Sequence, residues 1–320
     1  MASPAQTLTI GKHQLRVTNA DKVLWPKDRY TKGDLVAYYR AVAKWLLPYL
    51  EGRPLTLQRW PDGVDKWSFF EKDVPRGAPD WIKRVTLPSS GKRATVNYIV
   101  CDDEATLVYV ANLAAITLHV WTSRLPKLDN PDFVLFDLDP WEGCTLATLA
   151  RVALTVREAL QALGLEPLVK TSGGTGVHVI LRLQPEYDYD TVKAFAEVVA
   201  RHIAEEHPKE VTLERTIRKR PRGTVYLDWV QVGKGKTIVP PFVVRARPGA
   251  PVSWPLHWDD ITAMSRKKTR ATTSEFARWN MRNAPGLLRI GGDPWGKAGG
   301  SRYRLERALR KATKLWAEAD

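Results

Sequence analysis

Cys101 and Cys144 are the only cysteines in 320 residues. Two are too few for a disulfide framework or a zinc site, and the scarcity predicts a reducing cytoplasm. No apolar run approaches the roughly 18 residues a membrane-spanning helix requires. The first ten residues, Met1 to Ile10, lack the basic region and apolar core of a secretion signal. A soluble globular protein with no membrane partner is expected, long enough for one large domain or two modest ones. Internal repeats and long low-complexity segments are absent, and so are a Gly-Lys-Ser/Thr phosphate loop and a dinucleotide fingerprint.

Acid is also short. Lys and Arg number 49 against 35 Asp and Glu, a net charge of +14. The excess is concentrated: Ile261 to Asp320 holds 14 basic residues against 5 acidic, and residues 201–247 hold 11 against 5. Such a surface suits a polyanion, and 13 tryptophans supply flat faces for stacking on bases, which favours nucleic acid over an acidic membrane.

The stretch that organises the chain is Phe133-Val-Leu-Phe-Asp-Leu-Asp-Pro140. Four apolar residues run into two aspartates one residue apart, as in a buried strand with a charged end. Alternation puts Asp137 and Asp139 on one face. Paired carboxylates repel, and a hard divalent cation with its preference for oxygen ligands offsets that cost. Solvated acids or a helix cap would read the same way, and aspartyl phosphatases, sugar-nucleotide transferases and nucleotidyl transferases all use Asp-x-Asp. Pro140-Trp141 counts against the phosphatases, which place Thr or Val there.

Around this stretch the pattern predicts a helix from Thr31, closed by Pro48, Gly52 and Pro54, and a strand at Leu55 to Trp60. Phe69-Phe70 lies in a loop region, a core anchor or a base platform. Thr95 to Val100 and Thr106 to Val110 form a strand pair across Asp102-Asp-Glu104, and Asn112 to Leu118 a short helix or strand ending at His119. Helices follow at Thr145 to Leu163 and Asp190 to Glu206. Strands at Pro167 to Lys170 and Val177 to Leu183 flank Thr171-Ser-Gly-Gly-Thr-Gly176. That turn lets backbone amides approach an anion, with Ser172 and Thr175 adding hydroxyls and His178 just beyond.

Strands at Val211 to Ile217 and Thr224 to Gln231 enclose a basic turn. Asp228 lies inside the second, where an unpaired acid is expensive, and is the natural third ligand beside Asp137 and Asp139. Lys236 and Arg245 bracket an extended segment at Thr237 to Val244. Cationic helices then occupy Asp259 to Lys268, Thr273 to Arg282 and Tyr303 to Glu318, with a Gly-rich stretch at Gly291 to Gly300.

Taken together, Val17-Thr-Asn-Ala-Asp-Lys-Val-Leu-Trp-Pro26, Arg59-Trp-Pro-Asp-Gly-Val64 with Phe69-Phe-Glu-Lys72, Phe136-Asp-Leu-Asp-Pro140, Thr171-Ser-Gly-Gly-Thr-Gly-Val-His178 and Leu227-Asp-Trp-Val-Gln231 resemble the polymerase domain of bacterial end-joining DNA ligases. That family is a branch of the archaeo-eukaryotic primase superfamily. The resemblance runs from about Thr7 to Arg307. It implies a mixed α/β (α+β) fold of antiparallel sheets with flanking helices. The primase-polymerase domain would span 1–300, with DNA-end contacts in about 1–100, a catalytic core in about 101–250 and a basic helical part at 251–320.

The resemblance further implies a metal-dependent nucleotidyltransferase of the bacterial cytosol. Asp137, Asp139 and Asp228 would hold two divalent ions, Mn²⁺ or Mg²⁺. His119, Ser172, Thr175, His178, Lys236 and Arg245 would bind an incoming ribo- or deoxyribonucleoside triphosphate. Lys22 and Lys32 would grip the 5′-phosphate of gapped or broken DNA, with Phe69 and Phe70 near the template base. Partners would be Ku and an end-joining ligase; gap filling in excision repair would use the same site. The family often has Lys where Thr175 stands.

Overall fold

A computed structural model of the chain describes residues 5–89, 91, 94–267, 275–296 and 301–316. It divides into two compact units interleaved in sequence. One comprises Met1–Trp121, Thr237–Ser253 and Ala277–Gly292; the other comprises Thr122–Lys236, Trp254–Phe276 and Asp293–Asp320.

The first unit opens with two hairpins, β1 (Gln6–Ile10) with β2 (His13–Val17) and β3 (Val23–Trp25) with β4 (Tyr30–Thr31). Helix α1 (Lys32–Leu50) starts at Thr31, whose hydroxyl accepts from the Asp34 amide while the Asp34 carboxylate accepts from the Thr31 amide. This reciprocal cap is what the Thr-x-x-Asp spacing predicts. The helix runs through Pro48, which lies in its last turn, where a missing N–H removes a single hydrogen bond. Its apolar stripe is fully buried, and Tyr39 Oη donates to the Ile116 carbonyl at 2.7 Å.

Next come β5 (Leu55–Arg59), β6 (Phe69–Glu71), β7 (Arg84–Pro88), β8 (Thr95–Ile99), α2 (Glu104–Asn112) and β9 (Ala115–Trp121). Two expectations change here. Thr106 to Val110 is helix, because Asp103 caps α2 by accepting from the Thr106 amide, and β8 pairs with β7 instead. The β-branched residues there face a buried interior, and tertiary burial overrides their strand propensity. Phe69-Phe70 is strand rather than loop, paired with β5.

The second unit begins with β10 (Ser123–Arg124), β11 (Lys127–Pro131) and β12 (Phe133–Pro140), then α3 (Leu146–Ala162), β13 (Leu168–Thr171), β14 (Val177–Arg182), α4 (Tyr189–Glu206), β15 (Val211–Thr212) and β16 (Val225–Asp228). Thr145 and Asp188 cap α3 and α4, each accepting from an amide three residues on. The strand expected from Val211 to Ile217 stops at Thr212; Ile217–Lys219 is a 3₁₀ turn, and the Thr216 amide donates to Glu214 Oε1 at 2.6 Å. The later elements are β17 (Thr237–Ile238) in the first unit, β18 (Pro255–Leu256) and α5 (Trp258–Ser265) in the second, α6 (Ala284–Gly291) in the first and α7 (Glu306–Trp316) in the second. The helix expected at Thr273 to Arg282 begins among residues outside those described, and the described part turns after Phe276.

The first unit carries a four-stranded sheet in the order β17-β9-β5-β6, the second a six-stranded sheet in the order β15-β16-β12-β14-β13-β18. Apart from the parallel β15-β16 pair, both sheets are antiparallel. In the larger sheet Val134, Phe136 and Leu138 share a face with Val177, Val179 and Leu181 by register. All six are at most 1% exposed, and α3 and α4 pack against this sheet. The opposite face carries the charge.

Candidate active site

Register builds the polar face of the larger sheet. Asp137 stands opposite Asp228 on one neighbour and opposite His178 on the other, and His178 stands opposite Lys170. Directly opposed residues of an antiparallel pair project to the same side. A row of Lys170, His178, Asp137 and Asp228 therefore crosses four adjacent strands, with Asp139 two residues along β12 and Tyr226 opposite it. The three expected acids are brought onto one face, with Asp228 at the strand end rather than inside it.

His178 is buried, and its Nε2 lies 3.3 Å from Asp137 Oδ1. Asp228 accepts from the Val230 amide at 2.9 Å through Oδ1 and from Gln231 Nε2 at 2.9 Å through Oδ2. Burial and the Asp228 charge push Tyr226 up to about 12, and the Arg220 guanidinium sits 3.8 Å over the Tyr226 ring. Lys236 donates to the Val230 carbonyl at 2.5 Å. Burial lowers its pKa while Asp228 raises it, which places this lysine in the field of the acids. Sequence reasoning gave no role to Lys170 and Tyr226, which the pairing register exposes, or to Gln231, which its hydrogen bond to Asp228 exposes.

The glycine-rich loop lies against the same acids. A Cβ on Gly176 would meet the Leu138 carbonyl at 2.6 Å and Asp139 Oδ1 at 3.2 Å, so only glycine allows this approach. The loop amides do not point outward as expected. Gly174 and Gly176 donate to Ser172 Oγ at 3.2 and 3.1 Å, and Gly173 donates to Thr171 Oγ1. The loop amides are thus taken up by the loop's own hydroxyls. Thr175 lies half-buried in the loop.

Oxygen donors on one face are the ligand set a hard divalent ion takes. Among the described residues, no three His, Cys, Asp or Glu side chains stand close enough to hold an ion as they are. Asp228, turned onto Val230 and Gln231, accounts for part of this. The donor chemistry and register fit an ion after a side-chain rotation.

In the first unit, His119 on β9 and Arg245 after β17 lie close enough that Arg245 adds to the lowering of the His119 pKa. Burial is the larger cause, and together they push it down to about 3. Nε2 of His119 is buried with no hydrogen-bond partner among the described residues. Phe70, 59% exposed, meets the His119 ring edge-on at 5.5 Å. Phe69 is its neighbour on β6 and faces the other way, so the two phenylalanines do not form one platform.

Lys22 pairs with Asp62 at 2.7 Å. Lys32 is buried and donates to Thr18 Oγ1 at 3.3 Å and the Asn112 carbonyl at 3.1 Å. Its pKa is lowered first by burial, then by Lys22, so the two cations are neighbours. The first amides of α1 are occupied: Lys32 N donates to Lys22 O, Gly33 N to Ala20 O and Asp34 N to Thr31 Oγ1.

Acids paired across antiparallel strands, a hydroxyl-bearing loop beside them and a cationic surround on this mixed α/β scaffold define a nucleotidyltransferase of the primase-polymerase class. The family described as LigD, primase-polymerase domain, matches residues 31–295, and the chain belongs to it. It is 35% identical over 250 residues to the multifunctional non-homologous end joining protein LigD of Mycolicibacterium smegmatis, covering 78% of this chain and 32% of that protein. It is 31% identical over 249 residues to the bifunctional non-homologous end joining protein LigD of Bacillus subtilis, covering 78% of this chain and 39% of that one. The chain thus spans about a third of the length of such relatives. The polymerase domain of Mycobacterium tuberculosis Ligase D, solved in complex with DNA, superimposes with a TM-score of 0.80 at 32% identity, over 90% of this chain and 99% of that one. Among the described residues no helix is long and apolar enough to cross a membrane.

Proposed function

We propose that the chain extends primer 3′-OH ends and fills short gaps during DNA double-strand break repair by non-homologous end joining, in the bacterial cytosol. The observation that carries this is the in-register pairing of Asp137 with Asp228, with Asp139 beside them against Gly176. Asp137, Asp139 and Asp228 would hold two divalent ions, Mg²⁺ or Mn²⁺. Such ions, when bound, neutralise charge at the transferring phosphorus and acidify the attacking hydroxyl.

The chain's own groups do the positioning. Ser172 and Thr175 offer hydroxyls, His178 a ring nitrogen and Lys236 an ammonium to the triphosphate of a ribo- or deoxyribonucleotide, so catalysis is largely fixed electrostatics. His119 stays neutral and, with Arg245, contacts the nucleotide. Lys22 and Lys32 take the 5′-phosphate across a gap, and Phe70 lies near the template base. Ku and an end-joining ligase are the partners this reading calls for, in a chain whose relatives are named for non-homologous end joining.

The test is an extension assay on a gapped duplex with Mg²⁺ or Mn²⁺ and each ribo- and deoxyribonucleotide. Lengthened primer is expected. Shortened primer with no extension would instead mark a nuclease or phosphatase built on the same acids.

A further inference from the structure

Of the 13 tryptophans, Trp67 alone is exposed, at 73%. Its ring is stacked on Phe69 at 4.9 Å between centroids and 20° between planes. The Arg59 guanidinium lies 5.2 Å from the centre of the same Phe69 ring. Arg59 is fixed in turn, donating to Glu71 at 2.8 Å and to the Leu113 carbonyl at 2.9 Å. The guanidinium and the indole thus both lie against the Phe69 ring.

The loop that presents Trp67 is also pinned. Val64 N donates to the Leu24 carbonyl at 2.8 Å. Gly63, at φ +94°, approaches so closely that a Cβ would meet that oxygen at 2.9 Å. Two residues before Val64, Asp62 holds Lys22, so the loop that presents the indole also holds a lysine of the proposed phosphate grip.

We propose that Trp67, backed by Phe69 and Arg59, is a stacking platform for one unpaired nucleobase of the template strand. The proposal rests on the DNA reading above. A flat π face set in a strongly cationic chain suits a base on a polyanionic strand better than it suits an apolar protein side chain. An indole already held in place loses little freedom on stacking. Phe70, on the opposite face of β6, leaves Trp67 as a separate contact.

The experiment is a template scan. The full chain is titrated by fluorescence anisotropy against a gapped duplex in which each unpaired template base is replaced, one at a time, by an abasic site. Trp67→Ala should weaken binding to the intact duplex roughly 5- to 100-fold, and Trp67→Phe much less. At one position the abasic site should weaken wild-type binding equally, and Trp67→Ala should add nothing there. The slope of affinity against salt should stay unchanged in Trp67→Ala, since no phosphate contact is lost. Thermal midpoints check that the variants fold, which the exposure of Trp67 favours.

Wild-type binding with Trp67→Ala within twofold, or with equal losses at every abasic position, overturns the platform and leaves the polymerase reading standing. A wild-type chain that binds no gapped duplex overturns both.

Discussion

Asp228 faces Asp137 directly across β12 and β16, yet its carboxylate is turned to the Val230 amide and the Gln231 side chain. Two acids set in register by the backbone are thus kept apart by side-chain hydrogen bonds, with His178 at 3.3 Å on the far side of Asp137. The register sets the two acids opposite each other, and the hydrogen bonds from Val230 and Gln231 set where the Asp228 carboxylate lies.

The three acids should therefore share one effect on activity and differ in stability. Asp137→Asn, Asp139→Asn and Asp228→Ala should each lower extension by roughly 10²-fold or more, the scale of several kcal/mol of charge stabilisation. In metal-free protein Asp139→Asn should hold or raise the unfolding free energy, because it removes like-charge repulsion and keeps the side-chain shape. Asp228→Ala should cost about 1–3 kcal/mol, since it strands the Val230 and Gln231 donors. Extension rates and urea melts in chelator check both halves. Near wild-type extension by Asp228→Ala would remove it from the site.

His178 and the hydroxyl loop give a second expectation. His178→Ala should raise the nucleotide KM and lower kcat by about 10²-fold in combination, the scale of removing one preorganised donor, while DNA affinity changes less than twofold. Steady-state extension and anisotropy on the same preparation separate the effects. Equal losses in both would mean that the β13-β14 hairpin, not the triphosphate contact, has failed.

These elements differ in how far the sequence reveals them. The Asp137-Leu-Asp139 strand end, the helices α1, α3 and α4 and the glycine loop are legible, because period-2 and period-3.6 patterns and side-chain caps are local properties. Lys170 is not. A lysine before a glycine-rich turn reads as solvated, and only the pairing of β13 with β14 and β18 shows it to be fully buried in the acid row. Helix α2 is misread for the opposite reason: its Thr-Leu-Val-Tyr-Val stretch favours strand locally, and the Asp103 cap with a buried surround decides otherwise. The α1 amides taken up by the Lys22 and Ala20 carbonyls are likewise tertiary facts, whereas the glycine-loop amides are occupied locally, by the hydroxyls of Thr171 and Ser172.

The His119 environment sets a pH dependence. Its folded pKa is about 3 against about 6.5 in the unfolded chain. Between those values the unfolded chain binds a proton that the folded chain refuses. Stability is level above about pH 6.5 and falls as pH drops toward 3. From pH 7 to pH 5 this group alone should cost about 2 kcal/mol, and His119→Gln should abolish that share. Urea melts of both proteins at the two pH values give the difference. A gap that stays constant would mean that His119 takes up its proton in the folded chain.

The last expectation concerns the DNA end. Lys32 is buried and its pKa is lowered by burial and by Lys22, and of these two neighbouring cations Lys22 is paired with the Asp62 carboxylate. Diffuse attraction would weaken binding to every duplex alike and show in the salt slope. A phosphate pocket makes a narrower demand: matched gapped duplexes with and without a downstream 5′-phosphate should differ in affinity and in filling. That difference should vanish in a Lys22→Ala, Lys32→Met double variant. The methionine loses the ammonium that donates to Thr18 Oγ1 and the Asn112 carbonyl but keeps much of the buried stem of Lys32, so folding is less at risk than with alanine. Asp62→Ala supplies the opposite test. It releases Lys22 from its 2.7 Å partner and should strengthen the response to the phosphate, by a factor in keeping with the 0.2–1 kcal/mol of an exposed pair, roughly 1.5- to 5-fold. A wild-type chain indifferent to the phosphate, or an Asp62→Ala variant that binds both duplexes more tightly by the same factor, would make these lysines general attractors and the protein a primer-extending polymerase without end recognition.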